Sequence, residues 1–120
     1  MSLPPKKATQ VAKSSEPRRF VFLLLDRFTM LSFAGAIEPL RIANRISGQQ
    51  LYTWKLAGEG RDVAVCSNGA AFKLDMGLEE VERDDTVLVC GGIDVQKATT
   101  KSVLNWLRRE ARRGVTMGGL

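Results

Sequence analysis

The stretch RFVFLLLDRFTMLSFAGAIEPLRIAN, residues 19–44, decides the fold. Phe20 to Leu25 is an unbroken apolar run rich in aromatic and branched side chains, the pattern of a strand buried on both faces. Asp26-Arg27-Phe28-Thr29 turns the chain, and Met30, Phe33, Ile37, Leu40 and Asn44 then step by three and four along one face of a helix. A buried strand running directly into a helix opens a βαβ unit, and so predicts an α/β domain built on a mostly parallel sheet.

Leu31, Ala34, Glu38 and Ile42 form a second row on the same helix, with Glu38 its only acid. A carboxylate among apolar neighbours is costly to bury unless it is paired or protonated. Two readings of Glu38 stand side by side. It sits at the edge of the buried face and pairs with Arg41 three residues on, or it is aimed at a site above the carboxyl ends of the strands. Pro39 removes a backbone donor next to it and predicts a helix that kinks or starts a turn late.

Beyond this helix, Ser47-Gly48 is a stop signal. Leu51 to Ala57 alternates, with Tyr52, Trp54 and Leu56 on one face, and reads as a strand. Val63 to Cys66 and Ala70 to Leu74 read as short strands around the Ser67-Asn68-Gly69 turn. Leu78 to Val81 predicts a short helical turn in an acidic connector. Thr86 to Cys90 is a second fully apolar strand ending in Gly91-Gly92-Ile93, where glycines either make a tight turn or let the backbone approach a ligand and offer it amide donors. Thr99 or Thr100 caps a helix with the core stripe Val103, Leu104, Leu107 and Ala111, Trp106 at its flank. Gly114 ends that helix, and Val115-Thr116-Met117 begins a third buried strand that reaches Gly118-Gly119-Leu120. A doubly wound sheet needs helices on both faces. With two good helices and no helix after the last strand, residues 18–120 read as the first part of a larger domain, incomplete in its core and open at a sheet edge.

Composition narrows the function classes. The chain has 120 residues, 44% hydrophobic and 26% charged, ordinary for a globular domain. Its two cysteines, Cys66 and Cys90, lack metal-site spacing and there is no histidine, which argues against a zinc site or a Cys-His catalytic pair. No metal and no cofactor is expected. Met1 to Pro17 carries Pro4, Pro5, Pro17 and paired serines without periodicity, and reads as a disordered basic tail. Lys6 and Lys7 are not followed by the apolar core of a signal peptide, which points to the cytoplasm, and no run approaches the roughly 20 residues of a membrane helix. The net charge of +5 is concentrated in that tail and on the helix bearing Arg108, Arg109, Arg112 and Arg113. Without interleaved aromatics or a helix-turn-helix pattern, it reads as solvated charge and not as a nucleic-acid surface.

Phe20–Leu25, the segment Phe33-Ala34-Gly35-Ala36-Ile37-Glu38-Pro39-Leu40-Arg41-Ile42-Ala43-Asn44, Tyr52-Thr53-Trp54, Val87 to Gly92 and Val115 to Gly119 together resemble one family, in the correct order. It is the PfpI-like, class I glutamine amidotransferase-like domain found at the N-terminus of GlxA-type regulators of the AraC family. The resemblance implies a doubly wound, flavodoxin-like sheet sandwiched by helices. It matches Glu38 to the glutamate that contacts a cysteine on a nucleophile elbow, and Gly91 and Gly92, with Ile93 beside them, to the oxyanion-hole loop. The elbow would follow Leu120, so neither it, a histidine partner nor the C-terminal helix-turn-helix lies in this chain.

Two function classes follow from the resemblance. One is a sensing module that binds a small nitrogenous metabolite, such as an amino acid or quaternary amine, and controls DNA binding by a C-terminal domain, as a homodimer when full-length. The other is a fragment of a cysteine hydrolase, amidase or glyoxalase-like enzyme. The Glu-Pro-Leu-Arg-x-Ala-Asn segment favours the regulator, and this chain alone lacks the enzyme's cysteine and histidine. A truncated product without activity of its own is the third reading.

Overall fold

The computed structural model describes residues 16–60 and 62–120. Most of the expected tail, residues 1–15, therefore lies outside the described residues; the first strand begins at Arg18. Six strands and three helices follow: β1 (Arg18–Leu24), α1 (Met30–Ser47), β2 (Tyr52–Ala57), β3 (Val63–Val65), β4 (Ala71–Lys73), β5 (Thr86–Cys90), α2 (Val95–Ala98), α3 (Lys101–Arg112) and β6 (Thr116–Gly119). The main sheet has the order β2-β1-β5-β6, and all its pairings are parallel. Strands β3 and β4 form a separate antiparallel hairpin.

Strand β1 divides the core. Val21, Leu23 and Leu25 pack on one side with Val87, Val103 and Trp106, while Phe22 and Leu24 pack on the other with Phe33, Ala64 and Leu74. Helix α1 therefore covers one face and α3 the other, the arrangement that a strand apolar at every position requires. Phe33 makes edge-on contacts with Phe22, Phe28 and Phe72 at centroid distances of 5.4, 5.8 and 5.6 Å. Each such pair adds about 0.5–1.5 kcal/mol beyond burial, and together they bind the hairpin to α1.

Helix α1 starts at Met30, not a turn late, and passes through Pro39 without interruption. Phe33, Ile37 and Leu40 seat it on the core on both sides of the proline. The second row faces outward: Leu31 is 82% exposed, and Glu38 and Ile42 are exposed too. Gly48 closes the helix in the left-handed conformation at φ 71°, its N–H donating to the Asn44 carbonyl. Asn44 owes its place in the apolar row to the next strand. Its amide donates to the Tyr52 carbonyl, and its oxygen accepts from the Leu51 and Tyr52 amides at 2.8 and 3.0 Å.

Two expectations are corrected. Residues 78–81 form no helical turn, because their backbone groups are taken by α3: Trp106 Nε1 donates to the Glu79 carbonyl at 2.8 Å, and the Val81 N–H donates to the Glu110 carboxylate at 3.3 Å. The same contacts turn α3 about its axis. Its buried side chains are Val103, Trp106 and Glu110, with Leu107 partly buried, whereas Leu104 and Ala111 are exposed. Thr100 is the cap, accepting from the Val103 N–H. The four-residue α2 was not expected.

Glu110 is fully buried. Burial pushes its carboxyl up, but hydrogen bonds from Arg109, the Val81 N–H and Arg113 outweigh that and hold it below its ordinary value. Some of the arginine charge on α3 is thereby spent internally, and Arg113 also reaches Glu80 at 3.2 Å. On the opposite flank, buried Asp85 takes the Arg19 guanidinium at 3.1 and 2.6 Å and the Glu82 N–H, tying the entry of β5 to β1.

Because the folded pKa of Glu110 is depressed, its contribution is complete above the unfolded value of about 4.3 and fades as pH falls through the lower folded value. Glu110→Ala strands the Val81 N–H and two partly exposed arginines, and should cost about 2–4 kcal/mol at neutral pH. Urea unfolding at pH 7 and pH 3.5 should show the variant closer to wild type at the lower pH.

Candidate functional site

The strand order reverses direction beside β1: β2 lies on one side, and β5 with β6 on the other. In an open α/β sheet that reversal leaves a crevice outside the carboxyl ends of the strands. Here the crevice is framed by the loop after β1 and by Gly91-Gly92 after β5.

The two segments are locked together. The Thr29 N–H donates to the Gly91 carbonyl at 3.0 Å, and the Arg27 N–H ties the same loop to the hairpin strand β3 through the Val65 carbonyl at 2.8 Å. Arg27 is the one non-glycine residue with positive φ, at 61°, among the described residues. A Cβ on Gly92 would lie 2.4 Å from the Arg27 carbonyl oxygen and 3.3 Å from Thr29 Oγ1, and one on Gly91 would lie 2.8 Å from Val95 Cγ2. Gly92 is thus required by close approach of the chain's own backbone, and Gly91 by close packing of the Val95 side chain. Among the backbone hydrogen bonds of the loops and turns between described residues, none is donated by the Gly91 or Gly92 amide.

Gly91 and Gly92 line a cavity of about 360 Å³ together with Thr29, Ser32, Val95 and Leu120. Thr29 and Ser32 were not singled out by the sequence reading. The signal was present, since Thr29 immediately precedes the helix that follows β1, a position favoured by side chains that cap a helix at the strand ends. Other expected site residues lie elsewhere. Ile93 is 90% exposed and forms no part of this wall. Glu38 stands eight residues beyond Met30, roughly 12 Å along the helix axis. It is exposed, and the Arg41 guanidinium, donating to it at 3.0 Å, holds its carboxyl below the ordinary value. The structure therefore joins Gly91 and Gly92 to the start of α1 and leaves Glu38 outside, paired as the simpler of its two readings expects. Cys90 is buried, and desolvation pushes its thiol up to about 12. A thiol so shifted stays protonated and packs as a small apolar group.

Beyond the loop after β1 opens a larger cavity of about 650 Å³. No helix among the described residues is long and apolar enough to cross a membrane.

No family model matches the chain. Among curated proteins, it is 39% identical over 109 residues to the HTH-type transcriptional regulator GbdR of Pseudomonas aeruginosa, covering 90% of this chain and 29% of that protein. It is 36% identical over 118 residues to the HTH-type transcriptional regulator GlxA of Rhizobium meliloti, covering 92% of this chain and 35% of that protein. The chain thus spans about a third of the length of the curated relatives it matches. Among solved structures, an AraC family transcriptional regulator from Pseudomonas putida superposes with a TM-score of 0.76 at 25% identity, over 86% of this chain and 64% of that one. A ThiJ/PfpI family protein from Pseudomonas syringae shares the fold, with a TM-score of 0.65 at 13% identity over 86% of this chain and 41% of that one. A parallel sheet in the order β2-β1-β5-β6 and these likenesses agree: the chain has the α/β fold of the ThiJ/PfpI-like domains, and over about a third of their length it is similar in sequence to HTH-type transcriptional regulators that include GbdR and GlxA.

Proposed function

We propose that residues 18–120 are the N-terminal part of a ligand-sensing domain. In this reading a small nitrogenous metabolite binds at Gly91-Gly92, and its occupancy is passed to an AraC-type helix-turn-helix outside this chain. DNA is contacted through that module alone, and the full regulator works in the cytoplasm as a homodimer, without a cofactor. One observation carries the reading. The Gly91-Gly92 pair and the start of an 18-residue helix line one cavity at the sheet's reversal point, in a chain similar to HTH-type regulators.

The chemistry of the walls suits binding. The N–H groups of Gly91 and Gly92 would take an acceptor atom of the ligand, such as a carboxylate oxygen, while the Thr29 hydroxyl could accept or donate and the Ser32 hydroxyl, which donates to the Thr29 carbonyl at 3.2 Å, could accept. Since the Arg27 carbonyl sits where a Gly92 side chain would be, a shift of the glycine loop must move the loop before α1 as well. Ligand binding regulates only if it favours one arrangement of these two segments over another.

The test titrates the helix-turn-helix protein carrying this domain with a panel of amino acids and quaternary amines. A rise in melting temperature and a change in DNA retention, with the compound recovered unchanged, is the expected result. Formation of product would overturn it in favour of an enzyme. Gly92→Ala should weaken the response at least about tenfold, the loss that follows when donors aimed at a charged acceptor are displaced. Glu38→Gln should leave both response and melting temperature near wild type; a folded Glu38→Gln protein without response would move the site onto α1.

A further inference from the structure

The larger cavity is separate from the glycine-pair site and shares one wall with it. Arg27 and Asp94 face the 650 Å³ space, while their near neighbours Thr29 and Val95 face the smaller one. Its size lies within the roughly 300–1,000 Å³ of small-molecule sites. The floor is aliphatic and buried: Leu24, Leu25, Leu74 and Val103. Val63 and Val65 of β3 add an exposed apolar side wall, being 48% and 39% exposed. An apolar surface left open beside a buried aliphatic floor is what a ligand with an aliphatic body would cover.

The rim carries both signs of charge. Arg27 Nε meets Asp94 Oδ2 at 3.2 Å, and Thr100 Oγ1 donates to the Glu59 carboxylate at 3.0 Å. These two bridges join the loops after β1 and β2 to the segment that enters α3, so the walls are braced by groups that already satisfy one another. Asp26 and Lys97 also line the space and belong to no ion pair among the described residues. They leave one acid and one base for a ligand.

The geometry points to a second binding chamber, for a zwitterion with an aliphatic body of about dipeptide size. Its ammonium faces Asp26, its carboxylate faces Lys97, and its side chains lie on the leucine and valine floor. This assignment stands apart from the regulator reading: it names a different cavity and needs no DNA-binding module.

The test is calorimetric titration of the intact protein with L-leucyl-L-leucine, its N-acetyl derivative and its C-terminal amide. The dipeptide should bind saturably. Lys97→Ala should weaken it about tenfold, as expected for loss of a charge-assisted hydrogen bond, and leave the amide unchanged. Asp26→Asn should weaken the dipeptide and leave the N-acetyl derivative unchanged. Val65→Trp fills the chamber and should abolish binding of all three. Lys97 and Asp26 are exposed, so these variants keep the result readable if the tryptophan disturbs folding. Absence of saturable binding to the wild type, or a Lys97→Ala loss that is equal for acid and amide, would overturn the assignment. So would wild-type affinity in a folded Val65→Trp protein.

Discussion

The fold depends on a strand that has no outer face. Val21, Phe22 and Leu23 are completely removed from solvent, and β1 pairs with β2 on one side and β5 on the other. Burying each such side chain contributes about 1.5–3 kcal/mol, yet both faces can be buried only if a helix lies on each. That requirement places α1 and α3 on opposite sides and obliges the chain to cross over after every strand of the main sheet. The reversal of strand order beside β1 follows from those crossovers, and the crevice follows from the reversal.

What happens at the end of β1 connects fold to function. The chain leaves the core through Arg27 in a left-handed conformation, with the Arg27 carbonyl packed against the backbone of Gly92. Strain at a non-glycine residue costs on the order of 1–3 kcal/mol and persists only where its surroundings over-determine it. Here the Arg27, Phe28 and Thr29 amides all have backbone acceptors, drawn from Val65, Leu25 and Gly91. The loop is therefore a joint between β1, the hairpin and the glycine pair, with a cavity on each side. Far from it, Glu110 and Asp85 brace the connector that leads into β5, so that the glycine pair is presented from a fixed strand end.

The buried strand and the helix after it were legible because their apolar spacing admits few alternatives. So was the glycine pair, which follows a fully apolar strand. Glu110 was not, since a glutamate flanked by arginines on an amphipathic helix reads as solvated charge unless the partner segment is known. Its partner, the Val81 amide, lies in an irregular acidic connector where the sequence predicts a helical turn at Leu78 to Val81. Trp106 went with it: placed at the flank by periodicity, it is drawn inward by the Glu79 carbonyl. Glu38 illustrates the reverse case, where a motif match carried a role to a side chain that the helix geometry turns outward. Thr29 and Ser32 are short polar residues of a common kind, and only the register of α1 against β5 reveals that they border the cavity.

The central claim is that an effector engages the start of α1 and the glycine pair together. The most direct measurement is amide hydrogen exchange of the helix-turn-helix protein carrying this domain, with and without a compound that raises its melting temperature. The account predicts slowed exchange at Gly91 and Gly92 and through Met30 to Ser32, with little change around Glu38 and Arg41. Protection confined to the Glu38–Arg41 face, with the glycine amides unaffected, would contradict it.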